Sequence, residues 1–137
     1  MPASPLPRHL LVVDDEPYIG LLLRPRLEEL GYRVSLARTL GTARAALAGD
    51  PGAVDALLLD LHLPDGSGVD FLRELRGAAA TRALPVLVLT AEGEDRVQDA
   101  VRHLDAILLT KPFSPTKLTA QIAAMLAGAP GPHQEAS

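Results

Sequence analysis

The segment Ala56-Leu57-Leu58-Leu59-Asp60 decides the fold, because four apolar residues in a row end in a single carboxylate. A short run that is apolar at every position is typical of a strand covered on both faces, as the central strands of a parallel sheet are. A polar residue directly after such a run would lie at the edge of the sheet. The segment therefore predicts a buried parallel strand with a carboxylate at its carboxyl end.

The same pattern recurs on both sides of this segment. Three further apolar runs end in polar residues: residues 10–13 before Asp14 and Asp15, residues 85–89 before Thr90, and residues 107–109 before Thr110 and Lys111. Residues 33–37 instead alternate in polarity, which is typical of a half-exposed edge strand. The sequence thus predicts five strands, of which four are mainly apolar.

Segments with apolar residues three and four positions apart separate these strands, and that spacing defines one face of a helix. We expect five helices. The first runs from Pro17 to Leu30 with Ile19, Leu22, Leu23, Leu27 and Leu30 facing inward, the second runs from Thr39 to Ala48, and the third begins at Ser67 or Gly68 with Val69, Leu72 and Leu75 facing inward. The fourth runs from Glu94 to His103, and the fifth runs from Ser114 or Pro115 to about Leu126. Pro25 should kink or open the first helix locally, because proline has no amide hydrogen. Strict alternation of strands and helices predicts an α/β fold with helices on both faces of a parallel sheet.

Five polar residues are predicted to meet at one edge of this sheet: Asp14, Asp15, Asp60, Thr90 and Lys111. Right-handed connections place the carboxyl ends of parallel strands at the same edge, where ligands of such sheets bind. Three carboxylates repel one another unless a cation neutralises them, and a set of oxygen ligands suits Mg²⁺. Together with a lysine and a hydroxyl they form a site for a phosphoryl group, which a carboxylate nucleophile would take as an acyl phosphate.

Composition narrows the class of function. The 137 residues suffice for one domain with its own core, and the lack of cysteine excludes thiol catalysis and zinc–thiolate sites in this chain. The net charge of −4 does not favour a nucleic-acid-binding surface, and no apolar run reaches the ~20 residues of a membrane span. We therefore expect a cytoplasmic protein that contacts neither nucleic acid nor membrane. Its domain should span residues 8–127, with flexible tails or linkers at residues 1–7 and 128–137.

Four motifs resemble those of response-regulator receiver domains in two-component systems. In chain order they are Val13-Asp14-Asp15-Glu16, Leu59-Asp60-Leu61-His62-Leu63-Pro64-Asp65-Gly66-Ser67-Gly68, Leu89-Thr90-Ala91 and Thr110-Lys111-Pro112-Phe113. The resemblance extends from about Leu10 to Leu126. It implies a single flavodoxin-like, doubly wound sheet of five parallel strands in the order 2-1-3-4-5.

The resemblance also implies a role for each residue at the edge of the sheet. Asp60 would be the phospho-acceptor, Thr90 would donate to a phosphoryl oxygen, and Lys111 would pair with the phosphoryl group. A cis peptide between Lys111 and Pro112 would turn the lysine into the site. The ligands of Mg²⁺ would be Asp14, Asp15, Asp60 and the backbone carbonyl of His62.

The leading hypothesis is a signalling switch that catalyses only its own phosphorylation and dephosphorylation. The phosphoryl donor would be a histidine kinase or a histidine phosphotransfer protein, and the output partner is not named by the sequence. Receivers of the winged-helix class dimerise through acidic residues and an arginine, where this chain has Ala106, Ile107 and Gln121. A monomer or weak dimer is therefore expected.

Three other functions compete with this hypothesis. A non-phosphorylated pseudo-receiver that acts as a scaffold is favoured by Leu108, which stands where the family usually has an aromatic switch residue, and disfavoured by the complete set of polar residues. A phosphatase with an aspartate nucleophile usually carries a second aspartate two residues later, where this chain has His62. A flavin-binding protein is disfavoured by the low aromatic content of 3%.

Overall fold

Strands and helices alternate along the residues that the computed structural model describes, which are residues 8–49, 53–91 and 95–128. In chain order the elements are β1 (His9–Val13), α1 (Pro17–Glu29), β2 (Arg33–Ala37), α2 (Leu40–Gly49), β3 (Ala56–Asp60), β4 (His62–Leu63), β5 (Gly66–Ser67), α3 (Gly68–Gly77), β6 (Val86–Thr90), α4 (Asp95–His103), β7 (Ile107–Thr110) and α5 (Pro115–Leu126). This is the predicted α/β alternation.

The main sheet contains β2, β1, β3, β6 and β7 in that spatial order, and all of its strands are parallel. The predicted flavodoxin-like order 2-1-3-4-5 is confirmed once the two-residue strands β4 and β5 are set aside. These two strands form a small antiparallel hairpin that the sequence pattern did not predict. The register pairs Val13 with Leu59 and Asp60 with Leu89, so β1, β3 and β6 end at nearly the same level.

Helices cover both faces of the sheet, and each face has its own apolar cluster. On one face the sheet packs against α1 and α5 through Ile19, Leu23, Leu27, Leu118, Ile122 and Met125. On the other face it packs against α2, α3 and α4 through Leu40, Ala43, Leu47, Phe71, Leu72, Leu75 and Val101. Strands β3 and β6 are buried at every position, as their apolar runs predict. Burial of this apolar surface is the main favourable contribution to folding.

Helix α1 differs from its prediction in the residues that face the sheet. Ile19, Leu23 and Leu27 are buried, whereas Leu22 is 52% and Leu30 58% exposed. The predicted inward position of these two leucines is wrong. Leu22 lies about 100° around the helix from Leu23, and Leu30 follows the last helical residue.

The predictions for helices α1 and α4 concern Pro25 and Glu94. Helix α1 continues through Pro25, and the kink or local opening expected there stays a prediction. Helix α4 begins at Asp95 in the described part of the chain. Glu94, the predicted start of this helix, lies outside the described residues.

The predicted tails, residues 1–7 and 128–137, also lie outside the described residues, except for Gly128. The domain limits of residues 8–127 therefore stay a prediction. Among the helices that the structure describes, none combines the length and apolar character needed to cross a bilayer.

Arg76, near the end of α3, joins two loops that are distant in sequence. Its guanidinium donates to backbone carbonyls of Leu104 and Asp105 after α4 and of Thr81, Arg82 and Leu84 before β6. Burial lowers the pKa of Arg76, and the nearby carboxylate of Asp105 opposes that shift. Asp105 itself has a φ of 54°, a conformation that residues other than glycine rarely adopt. The guanidinium therefore secures a turn whose backbone is under strain.

Replacing Arg76 with methionine should lower the free energy of unfolding by about 1–3 kcal/mol, because several carbonyls, three of them partly buried, lose a charged donor. Urea denaturation followed by circular dichroism would measure this. The matched control is Arg73→Met on the same helix, whose pair with Asp70 joins side chains that are 58% and 75% exposed. That change should lower stability by about 0.5 kcal/mol or less. Equal losses in the two variants would contradict the role assigned to Arg76.

Candidate functional site

The structure brings the predicted polar residues together at the carboxyl edge of the sheet. Asp14 and Asp15 follow β1, Asp60 ends β3, Thr90 ends β6, and Lys111 follows β7. The register of the central strands places these ends side by side. The backbone N–H of Lys111 donates to the carbonyl of Thr90 at 2.8 Å, which joins the last two strand ends.

Three carboxylates form the centre of the site. Asp14, Asp15 and Asp60 each place one carboxylate oxygen within 4.8 Å of the others. The side chains of Asp14 and Asp60 are only 2% and 9% exposed, whereas Asp15 is exposed. Asp14 is oriented by the backbone N–H of Glu16, which donates to Oδ1 at 2.9 Å. Oxygen ligands at this separation, with one side open to solvent, fit a small hard cation such as Mg²⁺, which keeps part of its water shell.

Lys111 supplies the opposing charge. Its Nζ lies 3.1 Å from Oδ2 of Asp14 and 3.8 Å from Oδ2 of Asp60, and its side chain is 19% exposed. The peptide between Lys111 and Pro112 is cis, as the resemblance implies. The two distances place the lysine between two carboxylates and closer to Asp14 than to the predicted acceptor.

The surroundings of Asp60 disfavour its charged form. Burial is the largest cause that raises its pKa, and the carboxylates of Asp14 and Asp15 raise it further. Lys111 and the backbone N–H of His62 act in the opposite direction. That N–H lies 3.4 Å from Oδ1 of Asp60. An ionised Asp60 in this position gains from any additional positive charge that reaches the edge of the sheet.

The remaining predicted site residues have distinct surroundings. His62 begins the hairpin strand β4 and is exposed, and its backbone N–H lies beside the carboxylate of Asp60. Thr90 is fully buried at the end of β6. Leu108 is half-buried against the apolar cluster on the α2, α3 and α4 face.

Sequence reasoning missed the constraint at Gly68. A Cβ at this position would lie 2.7 Å from the carbonyl oxygen of Asp60 and 2.7 Å from Cα of Leu61. Its N–H donates to the carbonyl of Leu61 at 2.9 Å. The first turn of α3 thus packs directly on the backbone of the predicted acceptor. A glycine at a helix start, one residue after a capping serine, was the available signal.

Comparisons with known proteins agree with this geometry. The family model of the response regulator receiver domain matches residues 10–123. The phosphate regulon transcriptional regulatory protein PhoB of Escherichia coli is 39% identical over 122 residues, which cover 87% of this chain and 52% of that protein. The transcriptional regulatory protein KdpE of Mycobacterium tuberculosis is 42% identical over 119 residues, with coverages of 84% and 49%. The chain spans about half the length of these curated relatives.

Solved structures resemble the whole fold. The non-phosphorylated receiver domain of HemR from Leptospira biflexa superposes with a TM-score of 0.81 at 30% identity, covering 88% of this chain and 94% of that one. The receiver domain of a signal transduction histidine kinase from Syntrophus aciditrophicus gives a TM-score of 0.80 at 27% identity, with coverages of 88% and 91%. The resemblance thus includes nearly the full length of isolated receiver domains.

Exchanging Gly68 for alanine should destabilise the fold by about 1–3 kcal/mol, because the added methyl group displaces the backbone at Asp60 and Leu61. Gly77→Ala, at the other end of α3, is the matched control, since no atom lies within 4 Å of the new Cβ. That variant should be unchanged or stabilised by about 0.4–1 kcal/mol. Urea denaturation of both proteins measures the difference, and equal stability would show that the close approach is harmless.

Asp60→Asn should raise the melting temperature in metal-free buffer at pH 7, because it removes a buried charge that two carboxylates repel. About 1 kcal/mol corresponds to a few degrees for a domain of this size. The pKa of Asp60 is raised in the fold, so ionisation destabilises the wild type above that pKa. The advantage of asparagine should therefore shrink as the pH falls through it. Asp70→Asn, which removes an exposed partner of Arg73, should not raise the melting temperature.

Proposed function

Because the chain belongs to the response regulator receiver domain family of two-component signalling, we propose that it accepts a phosphoryl group on Asp60 in a Mg²⁺-dependent reaction. The observation that carries this proposal is the arrangement of Asp14, Asp15 and Asp60 within 4.8 Å of one another, with Lys111 at 3.1 Å from the first and 3.8 Å from the last. An acidic cluster that is partly balanced by one lysine is suited to take up a cation and a phosphoryl group together.

The reaction we propose is a transfer from a phosphohistidine. A carboxylate oxygen of Asp60 forms a bond to phosphorus as the bond from phosphorus to the histidine nitrogen breaks. The donor imidazole, protonated at its other ring nitrogen before the transfer, keeps the electron pair of the broken bond and leaves as a neutral histidine, and the product is an aspartyl phosphate. The donor is a histidine kinase or a histidine phosphotransfer protein. Lys111 then moves from its pair with Asp14 toward a phosphoryl oxygen, and the hydroxyl of Thr90 donates to another. Positioning and charge neutralisation account for most of the catalysis in such transfers.

Mg²⁺ would be held by Asp14, Asp15, Asp60 and the backbone carbonyl of His62. When bound, it neutralises the carboxylates and the oxygens of the incoming phosphoryl group. The backbone N–H of Glu16 keeps Asp14 oriented before the ion arrives. Site residues that are held in place in this way need little reorganisation on metal binding.

The biological setting we propose follows the family. The chain acts as a cytoplasmic switch, a monomer or weak dimer, that turns over only its own phosphoryl group and changes the binding of an output partner. PhoB and KdpE are transcriptional regulatory proteins about twice as long, and the net charge of −4 does not favour a nucleic-acid-binding surface on this domain. A pseudo-receiver scaffold has no support in the geometry, since the acceptor, lysine and carboxylates are all present at the edge of the sheet.

Incubation with acetyl phosphate and Mg²⁺ should add one phosphoryl group, detected by intact-mass spectrometry. Asp60→Asn should prevent the addition. Asp15→Ala should form little phosphorylated product, and the amount formed should no longer depend on Mg²⁺. Asp70→Asn, at an exposed position on α3, is the matched control and should behave as the wild type. Phosphorylation of the Asp60→Asn variant to the same extent would contradict the acceptor assignment.

A further inference from the structure

The hairpin β4–β5 is exposed at most of its positions. It contains residues 62–67, of which Leu63 is buried and the others are exposed. Isolated two-stranded hairpins are only marginally stable. Its strand β4 nevertheless carries His62, whose N–H faces Asp60 and whose carbonyl is the proposed metal ligand. The N–H of Gly68, which donates to the carbonyl of Leu61, closes the base of this hairpin, and a further contact fixes its tip.

Asp65, at the tip of the hairpin, provides that contact. Its Oδ1 accepts a hydrogen bond from the backbone N–H of Leu40 at 2.8 Å, and its Oδ2 accepts one from that of Gly41 at 2.9 Å. These are the first two residues of α2, whose N–H groups have no partner within the helix. Both hydrogen bonds lower the pKa of Asp65. Next to it, Gly66 has a φ of 154°, and a Cβ there would lie 3.1 Å from the side chain of Leu40.

The same corner of the chain, residues 37–41, also supports the opposite side of the site. The backbone N–H of Asp14 donates to the carbonyl of Ala37 at 3.0 Å, at the end of β2. Asp14 and the hairpin are thus both attached to the connection between β2 and α2, which contains none of the site residues. Helix α2, which begins in this segment, is joined to α3 by Arg44, whose guanidinium donates bidentate hydrogen bonds to the carboxylate of Glu74.

We propose that Asp65 is a positioning residue, which sets the distance from the His62 backbone to Asp14 and Asp60 by tying the hairpin to the start of α2. The proposal rests on the proposed function, because the site it positions is the phosphorylation site. Asp65 contacts none of the site's carboxylates. Its effect passes through the hairpin backbone to the carbonyl of His62.

Titration of the unphosphorylated chain with MgCl₂, by isothermal calorimetry, tests the proposal. Asp65→Ala should weaken Mg²⁺ binding by about tenfold, the usual effect of losing a residue that orients a metal ligand. Asp65→Asn keeps one acceptor oxygen and should give a smaller loss, and it remains informative where the alanine variant is unfolded. Melting curves without metal would fix a temperature at which all variants are folded.

The matched control is Thr39→Ala. The hydroxyl of Thr39 accepts from the N–H of Thr42 at 3.1 Å and donates to the hydroxyl of Thr42 at 3.0 Å, so this residue caps the same end of α2 through Thr42 rather than through the hairpin. It should lower stability while Mg²⁺ binding and the hydrogen exchange of residues 62–67 stay as in the wild type, whereas Asp65→Ala should increase that exchange. Equal Mg²⁺ affinities of Asp65→Ala and Thr39→Ala would overturn the positioning role. A wild-type chain that binds no Mg²⁺ would instead contradict the proposed function.

Discussion

The repulsion among three carboxylates is the constraint on which the rest of the site depends. Asp14, Asp15 and Asp60 lie within 4.8 Å of one another, two of them nearly buried, and a chain free to relax would separate them. The parallel ladder prevents this, because Asp14 directly follows Val13, which pairs with Leu59 beside Asp60. Backbone hydrogen bonds thus hold the charges together, and the pKa of Asp60 is raised, mainly by burial and further by the two neighbouring carboxylates. Lys111 acts in the opposite direction.

The position of this cluster could be predicted from the sequence because each member is a local feature. Asp60 and Thr90 directly follow apolar runs, and an apolar run of that length is itself a sign of a buried strand. Because parallel strands end at one edge of the sheet, residues at separate positions in the sequence are then predicted to be neighbours in space. No knowledge of side-chain packing was needed to bring Asp14 and Lys111 together.

Side-chain contacts between elements that are distant in the sequence have no such signature. Asp65 reaches Leu40 across 25 residues, and Arg76 reaches Asp105 across 29, with no periodicity to announce either pair. Aspartate and arginine are common at exposed loop positions, so their residue types carry little information by themselves. Leu22 shows the opposite case, because an apolar residue beside the buried face of a helix can lie outside that face. Such contacts depend on how elements pack after the fold has formed.

The main sheet separates two apolar interiors, and alternate residues of one strand contribute to each. On β1, Leu10 and Val12 belong to the cluster with α1 and α5, whereas Leu11 and Val13 belong to the cluster with α2, α3 and α4. Substitutions in two regions that share no contacts act nearly independently on stability. Over evolutionary time, one interior can therefore accumulate compensating changes while the other stays as it is. The backbone between them carries the acidic edge, so substitutions confined to one set of helices can leave that edge unchanged.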